Sequence, residues 1–167
     1  MRAIRTSRPL ELLLLLALAG CTPAEEGEPL PEWSAPDEPG PWRAGTDEVS
    51  LTGSTGVELV AQVWYPTEAE TGSVHEYDDL VPGEALDDPA PACEQARPAV
   101  VFSHGNGGMR YQSWFLTEHL ARHGYLVIAP GHAGNTLFEA DQLPRGEIAI
   151  QRPQDVADAF AGGEPGE

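Results

Sequence analysis

A glycine-rich segment directly after an apolar run is the first feature of this sequence that could do chemistry. Residues 99–102 read Ala-Val-Val-Phe, which is typical of a strand buried on both faces of a parallel sheet. The segment that follows contains His104, Gly105, Asn106, Gly107 and Gly108. Glycine at such a strand exit permits a tight turn and leaves backbone N–H groups pointing into the crevice where ligands bind in open α/β sheets. The segment is therefore a candidate ligand-binding loop.

Three other histidines, His119, His123 and His132, are candidate metal-binding or crevice-lining residues. His119 and His123 stand four residues apart, a spacing that can bind zinc from one face of a helix. Position 120 is Leu instead of the Glu of an H-E-x-x-H motif, and no third ligand is evident, so we assign no metal site. His132 could line the crevice, but we interpret it as a loop histidine with satisfied hydrogen bonds. We interpret Asp155 as the partner of a helix dipole instead of a catalytic acid.

Hydrophobic periodicity predicts a β-hairpin at the start of the folded region. Residues 47–52 and 57–65 alternate apolar and polar side chains, and Gly53-Ser54-Thr55-Gly56 lies between them as a turn. Residues 67–98 are acidic and rich in proline, so we expect a long surface loop there.

The candidate loop lies within a predicted β-α-β unit. A helical pattern over residues 111–123 is stopped by Gly124 and joins the apolar runs 99–102 and 125–129. Two strands joined in this way are expected to be parallel, with a right-handed crossover.

Two further expectations concern the flanks of this unit. A helix over residues 151–160 should carry Pro153 in its first turn. The second parallel strand, 125–129, should lie at the sheet edge, where an exposed apolar strand is prone to aggregation.

Charge and cysteine content exclude several classes of function. The 167 residues include nine cations, all Arg, against 27 Asp and Glu, for a net charge of −18. Nucleic-acid binding is excluded as a default function because it needs clustered cations. Two cysteines, Cys21 and Cys93, are too few for a disulfide framework, and the partner of Cys93 stays open.

The N-terminus has the pattern of an export signal. Three arginines precede the apolar run 12–19, which ends in Leu-Ala-Gly before Cys21. The pattern resembles a bacterial lipoprotein signal, in which the cysteine becomes the first residue and is acylated. We therefore expect a signal peptide over 1–20, a Pro/Glu-rich tether over 21–45 and a partial domain over 46–167. The product would be exported and anchored by lipid to a membrane of the bacterial cell envelope.

Four segments together resemble one branch of the α/β-hydrolases. They are Val-Phe-Ser-His-Gly at 101–105, Leu-Ala-Arg-His-Gly-Tyr at 120–125, Ala-Pro-Gly-His-Ala-Gly-Asn-Thr at 129–136 and Arg-Pro-x-Asp-Val at 152–156. The combination is similar to the platelet-activating-factor acetylhydrolase branch, which is close to dienelactone-hydrolase-like enzymes. Gly131 departs from the usual Asp of that branch.

The resemblance covers roughly residues 47–160 and implies a site for ester hydrolysis. By this analogy the backbone N–H of Asn106 is an oxyanion-hole donor and His104 is a structural residue of the loop. The substrate would be a lipid ester, a short-chain ester or a polyester, and the reaction needs neither a cofactor nor a metal.

The nucleophile of that family lies on a G-x-S-x-G elbow, which this sequence lacks. The turn containing Ser54 has glycines at the wrong positions, and we interpret Ser103 as a residue that hydrogen-bonds within the core. No triad Ser, Asp or His is therefore identified in the chain.

These observations predict the N-terminal part of an α/β-hydrolase sheet, a hairpin followed by a parallel β-α-β unit, truncated before the elbow. The predicted function is that of a lipoprotein serine esterase, inactive as this fragment. The alternative is a non-catalytic surface lipoprotein that keeps part of the fold as a binding or structural module.

Overall fold

The computed structural model describes residues 35–92, 97–139 and 144–161. Within these ranges the chain forms a mixed six-stranded sheet with a helix packed on each face. The elements in chain order are β1 (Arg43–Thr52), β2 (Glu58–Thr67), β3 (Val74–Tyr77), β4 (Val81–Asp87), β5 (Ala99–Val101), α1 (Trp114–Arg122), β6 (Leu126–Pro130) and α2 (Arg145–Ala161). The strand order is β3-β4-β1-β2-β6-β5. The predicted signal peptide, the first part of the predicted tether, Cys21 and Cys93 lie outside the described residues.

Strands β1 and β2 form the predicted hairpin and extend it at its open end. They pair antiparallel from Arg43 opposite Thr67 to Thr52 opposite Glu58. At the turn, Gly56 has a φ of 76°, a conformation that glycine adopts at little cost. Because β1 begins at Arg43, its first residues lie within the segment predicted as a tether.

Residues just before β1 pack on the folded domain. The Trp42 N–H donates to the carbonyl oxygen of Arg122 (3.3 Å), and the guanidinium of Arg97 lies 4.3 Å from the Trp42 ring centroid. The His119 Nε2 lies 2.8 Å from the carbonyl oxygen of Pro36. The described end of the predicted tether thus contacts α1.

The prediction of a long surface loop over 67–98 is wrong, because β3 and β4 form a second hairpin there and β4 pairs parallel with β1. Tyr77 is fully buried; its hydroxyl accepts from Trp64 Nε1 (2.6 Å) and donates to Glu118 Oε1 (2.7 Å). Burial and the Glu118 carboxylate raise the pKa of Tyr77, so the hydroxyl keeps its proton. The Glu84 N–H also donates to Glu118, at 3.1 Å from each oxygen. This network attaches the second hairpin to α1.

The predicted β-α-β unit is confirmed. Strands β5 and β6 are parallel, with Ala99 opposite Leu126 and Val101 opposite Ile128, and α1 connects them. Strand β6 also pairs antiparallel with β2, so it lies inside the sheet and its Val127 is fully buried. The predicted edge position of the second parallel strand is therefore wrong. The edge is formed by the first parallel strand, β5.

The two helices cover opposite faces of the sheet. Ala121 of α1 belongs to one buried cluster and Ala159 of α2 to another. Helix α2 begins at Arg145 instead of 151, and Pro153 lies inside it, so the prediction that Pro153 occupies the first turn is wrong. Neither helix of the described residues is long and apolar enough to cross a membrane.

Candidate active site

The glycine-rich segment forms a tight loop at the carboxyl end of β5. The Gly108 N–H donates to the carbonyl oxygen of Gly105 (3.0 Å), and Gly107 has a φ of 65° that favours glycine. The backbone of Gly108 also bridges to Thr136 in the loop after β6. The turn therefore depends on glycine at position 107, and a Cβ at Gly108 would lie only 3.0 Å from the Gly105 carbonyl oxygen.

Asn106 lies at the exposed tip of this loop. Its N–H donates to no carbonyl among the described residues, and its side-chain Oδ1 accepts from the Nδ2 of the buried Asn135 (2.9 Å). A backbone N–H at such a position can bind a developing oxyanion. The residue predicted as the oxyanion donor is thus held by its side chain while its amide is left available.

Arg152 of α2 connects three parts of this region. Its Nη1 donates to Asn135 Oδ1 (2.9 Å), and its Nη2 donates to Ser103 Oγ (3.0 Å) and to the carbonyl oxygen of His104. Charged donors form the stronger hydrogen bonds in proteins. Sequence reasoning treated Arg152 only as part of a family motif and missed this role.

His104 is buried beneath the loop. Its Nε2 accepts from the N–H of His132 (3.3 Å), so the proton is on Nδ1, which donates to the carbonyl oxygen of Gly105 (2.8 Å). Burial lowers the pKa of His104, assisted by the nearby His132, Arg152 and Arg110, while the Gly105 carbonyl acts in the opposite direction. The neutral imidazole thus connects the backbone of the loop after β5 with that of the loop after β6.

The structure brings together three residues that sequence reasoning had treated separately. Ser103 Oγ lies 2.8 Å from His132 Nε2, and His132 Nδ1 lies 2.8 Å from Asp155 Oδ2. His132 does have both ring nitrogens in hydrogen bonds, as predicted. The interpretation of Asp155 as a dipole partner is wrong, because it lies well inside α2 and faces His132.

The other candidates from the sequence lie elsewhere. The rings of His119, on α1, and His123, directly after its last residue, are 4.4 Å apart, and their Nε2 atoms approach the carbonyl oxygens of Pro36 and Glu38. No group of three potential metal ligands occurs among the described residues. Ser54 lies in the hairpin turn, where its N–H and Oγ donate to an α2 carboxylate.

Comparison with known proteins identifies the fold. No protein-family model matches the sequence, and no curated protein matches it. Among solved structures, the chain resembles a ferulic acid esterase from Streptomyces cinnamoneus, with a TM-score of 0.59 and 23% identity over 74% of this chain and 46% of that chain. Weaker likenesses are to a hypothetical protein from Pseudomonas aeruginosa (TM-score 0.42, 15% identity, 84% of this chain and 37% of that chain) and to brefeldin A esterase, a bacterial homologue of human hormone sensitive lipase (0.40, 15%, 96% and 37%).

The chain spans less than half of the ferulic acid esterase, 46% of its length. The likeness confirms that the sheet has an α/β-hydrolase-like arrangement. It does not distinguish the branch that the sequence resembles.

Proposed function

We propose that this chain supplies the oxyanion-binding part of a carboxylic ester hydrolase, of the platelet-activating-factor acetylhydrolase or dienelactone-hydrolase-like branch. The observation that carries the proposal is the loop at the exit of β5, where Asn106 is exposed and bound through its side chain to Asn135. In an α/β-hydrolase this position provides one N–H of the oxyanion hole.

The proposed reaction is acyl transfer through a serine nucleophile. A serine attacks the ester carbonyl, a histidine takes the serine proton and returns it to the leaving alcohol, and an aspartate orients the histidine. The N–H of Asn106 and the amide after the nucleophile stabilise the negative charge on the carbonyl oxygen. The family's elbow serine is not in this sequence, so we expect this chain by itself to show no esterase turnover above background.

Export and lipid anchoring are further parts of the proposal. They are supported by the sequence before Cys21 alone. Such an anchor would place the esterase at a membrane surface, with acyl esters of lipids, short-chain esters and polyesters as substrate classes.

The coding DNA downstream of codon 167 tests the proposal in its first step. An apolar strand followed by G-x-S-x-G within a few tens of codons supports the hydrolase, whereas its absence in all three frames supports the non-catalytic alternative. The product that includes the downstream segment is then assayed on short-chain p-nitrophenyl esters.

The oxyanion role of Asn106 has its own test in that product. Asn106→Pro removes the N–H and should lower kcat by about 10²–10³. Asn106→Ala keeps the N–H and is the matched control, expected to stay within about tenfold of the wild type. Equal losses in the two variants would contradict the oxyanion role.

A further inference from the structure

We propose that Ser103, His132 and Asp155 form a nucleophilic site within this chain, at which Ser103 accepts an acyl group from an ester. In this site the nucleophile is Ser103, which does not lie on a G-x-S-x-G elbow. The inference goes beyond the proposed function and does not depend on it.

The hydrogen bonds have the polarity that nucleophilic catalysis needs. The Asp155 carboxylate can only accept, so the proton of His132 is on Nδ1, which donates to Asp155 Oδ2 (2.8 Å). The Nε2 atom is then a free acceptor, and the Ser103 hydroxyl donates to it (2.8 Å). Serine, base and orienting carboxylate are therefore connected in the order that activates a hydroxyl.

The three residues of the site differ in their exposure to solvent. Ser103 is an exposed residue, and its hydrogen bond to His132 is partly buried. His132 and Asp155 are only 1% and 8% exposed, so water does not compete for their hydrogen bonds. This arrangement fixes the imidazole and places the serine that it contacts at the surface of the described residues.

A positive charge lies beside the nucleophile. The Arg152 Nη2 is 3.0 Å from Ser103 Oγ, and the same side chain is held by the Asn135 amide and the His104 carbonyl oxygen. A guanidinium fixed in advance stabilises negative charge that develops on the attacked carbonyl oxygen without having to move.

Ser54 is a comparison for Ser103, because its hydroxyl contacts a carboxylate directly and not an imidazole. Its Oγ donates to the Asp158 carboxylate (3.2 Å), without an imidazole between them. Burial raises the pKa of Asp158, but hydrogen bonds from Gln154 and Ser54 outweigh it and the pKa is lowered. A carboxylate of lowered pKa is a poor base, so Ser54 is a hydrogen-bonded serine without activation.

The step balances in atoms and charge. Ser103 Oγ forms a bond to the ester carbonyl carbon while its proton moves to His132 Nε2. The bond from that carbon to the alkoxy oxygen then breaks, and the alcohol leaves with the proton from His132. With a fluorophosphonate probe, Oγ bonds to phosphorus, fluoride leaves, and the proton passes from His132 to solvent.

Labelling of the 167-residue chain with a fluorophosphonate tests the inference. Intact-mass measurement should show one adduct per chain, and peptide mapping should place it on Ser103. Ser103→Ala should abolish the adduct, whereas the matched control Ser54→Ala should be labelled like the wild type. A folded wild-type chain that stays unlabelled, or an adduct on another residue, overturns the inference.

The roles of the other two residues are tested by the labelling rate. His132→Gln and Asp155→Asn should each lower the second-order rate by about 100-fold or more, since a general base contributes about 10²–10⁴. Circular dichroism and thermal melting show whether each variant is folded. If His132→Gln does not fold, the test depends on Asp155→Asn, which exchanges one carboxylate oxygen for an amide group. A folded Asp155→Asn chain labelled at the wild-type rate overturns the assignment. Lack of ester turnover in the longer product would remove the proposed function and leave this result unaffected.

Discussion

The guanidinium of Arg152 donates a hydrogen bond to the backbone carbonyl oxygen of His104, although 48 positions separate the two residues in the chain. The contact fixes helix α2 against the loop that follows strand β5. The shape of the candidate oxyanion loop is therefore determined partly by a residue of α2, the helix that follows the β-α-β unit in the chain.

Removing this contact should loosen the loop more than the fold. Arg152→Met keeps much of the aliphatic stem but loses the hydrogen bonds to His104, Ser103 and Asn135, so we expect a free energy of unfolding lower by about 1–3 kcal/mol. Hydrogen exchange should accelerate most at Gly105–Gly108. Arg145→Met, at an exposed position of the same helix, is the control and should change neither quantity appreciably. Unchanged exchange in Arg152→Met would show that the loop holds its shape without the guanidinium.

The sequence was sufficient for the elements whose hydrophobic period is clear. The alternation of apolar and polar residues in β1 and β2 predicted the hairpin, and the continuous apolar runs of β5 and β6 predicted the parallel pair. Both patterns arise because the faces of a strand that are buried in the core carry apolar side chains. Strands β3 and β4 were missed because they are short, acidic and interrupted by Pro82 and Gly83, and a few residues such as Tyr77 supply their core contacts.

The meeting of Ser103, His132 and Asp155 could not be predicted from spacing. Ser103 and His132 are 29 positions apart, and His132 and Asp155 are 23 apart. Two strand exits become neighbours because β5 and β6 are parallel and adjacent, and α2 then crosses them. This is a property of the topology, and no local pattern reports it.

Glu118 should be a stability residue of the second hairpin. Its buried carboxylate accepts from the Tyr77 hydroxyl and the Glu84 N–H, so Glu118→Ala leaves two donors without an acceptor. We expect a loss of about 2–4 kcal/mol in the free energy of unfolding, measured by urea denaturation. Glu58→Gln, at an exposed position, is the control and should cost less than about 0.5 kcal/mol. A loss in Glu118→Ala no larger than in the control would show that the network does not hold the hairpin.

The buried His104 should make the fold sensitive to acid. Burial lowers the pKa of His104 below its ordinary value of 6.5, so the folded state binds this proton less readily than the unfolded state. The stabilisation is fully present above the unfolded pKa and is lost as the pH falls through about 6.5 toward the folded pKa. Nitrogen-15 NMR of the imidazole should show a neutral ring with the proton on Nδ1 at pH 7 and a protonation midpoint below about 6.5. A midpoint at or above that value would contradict the assignment.

The predicted lipid attachment at Cys21 is the basis for the proposal that the protein lies at a membrane. Cys21→Ser removes the thiol that would be acylated, so radiolabelled fatty acid should no longer be incorporated and the product should leave the membrane fraction of the expressing bacterium. The physical reason is that two or more acyl chains anchor a protein stably, whereas an unlipidated acidic chain has little attraction for an anionic bilayer. Cys93→Ser removes the other cysteine and is the matched control, expected to retain both the label and the membrane partitioning. Unchanged partitioning of Cys21→Ser would exclude a lipid anchor at Cys21. Loss of the label in Cys93→Ser would indicate that Cys93 is needed for acylation and would contradict the assignment to Cys21 alone.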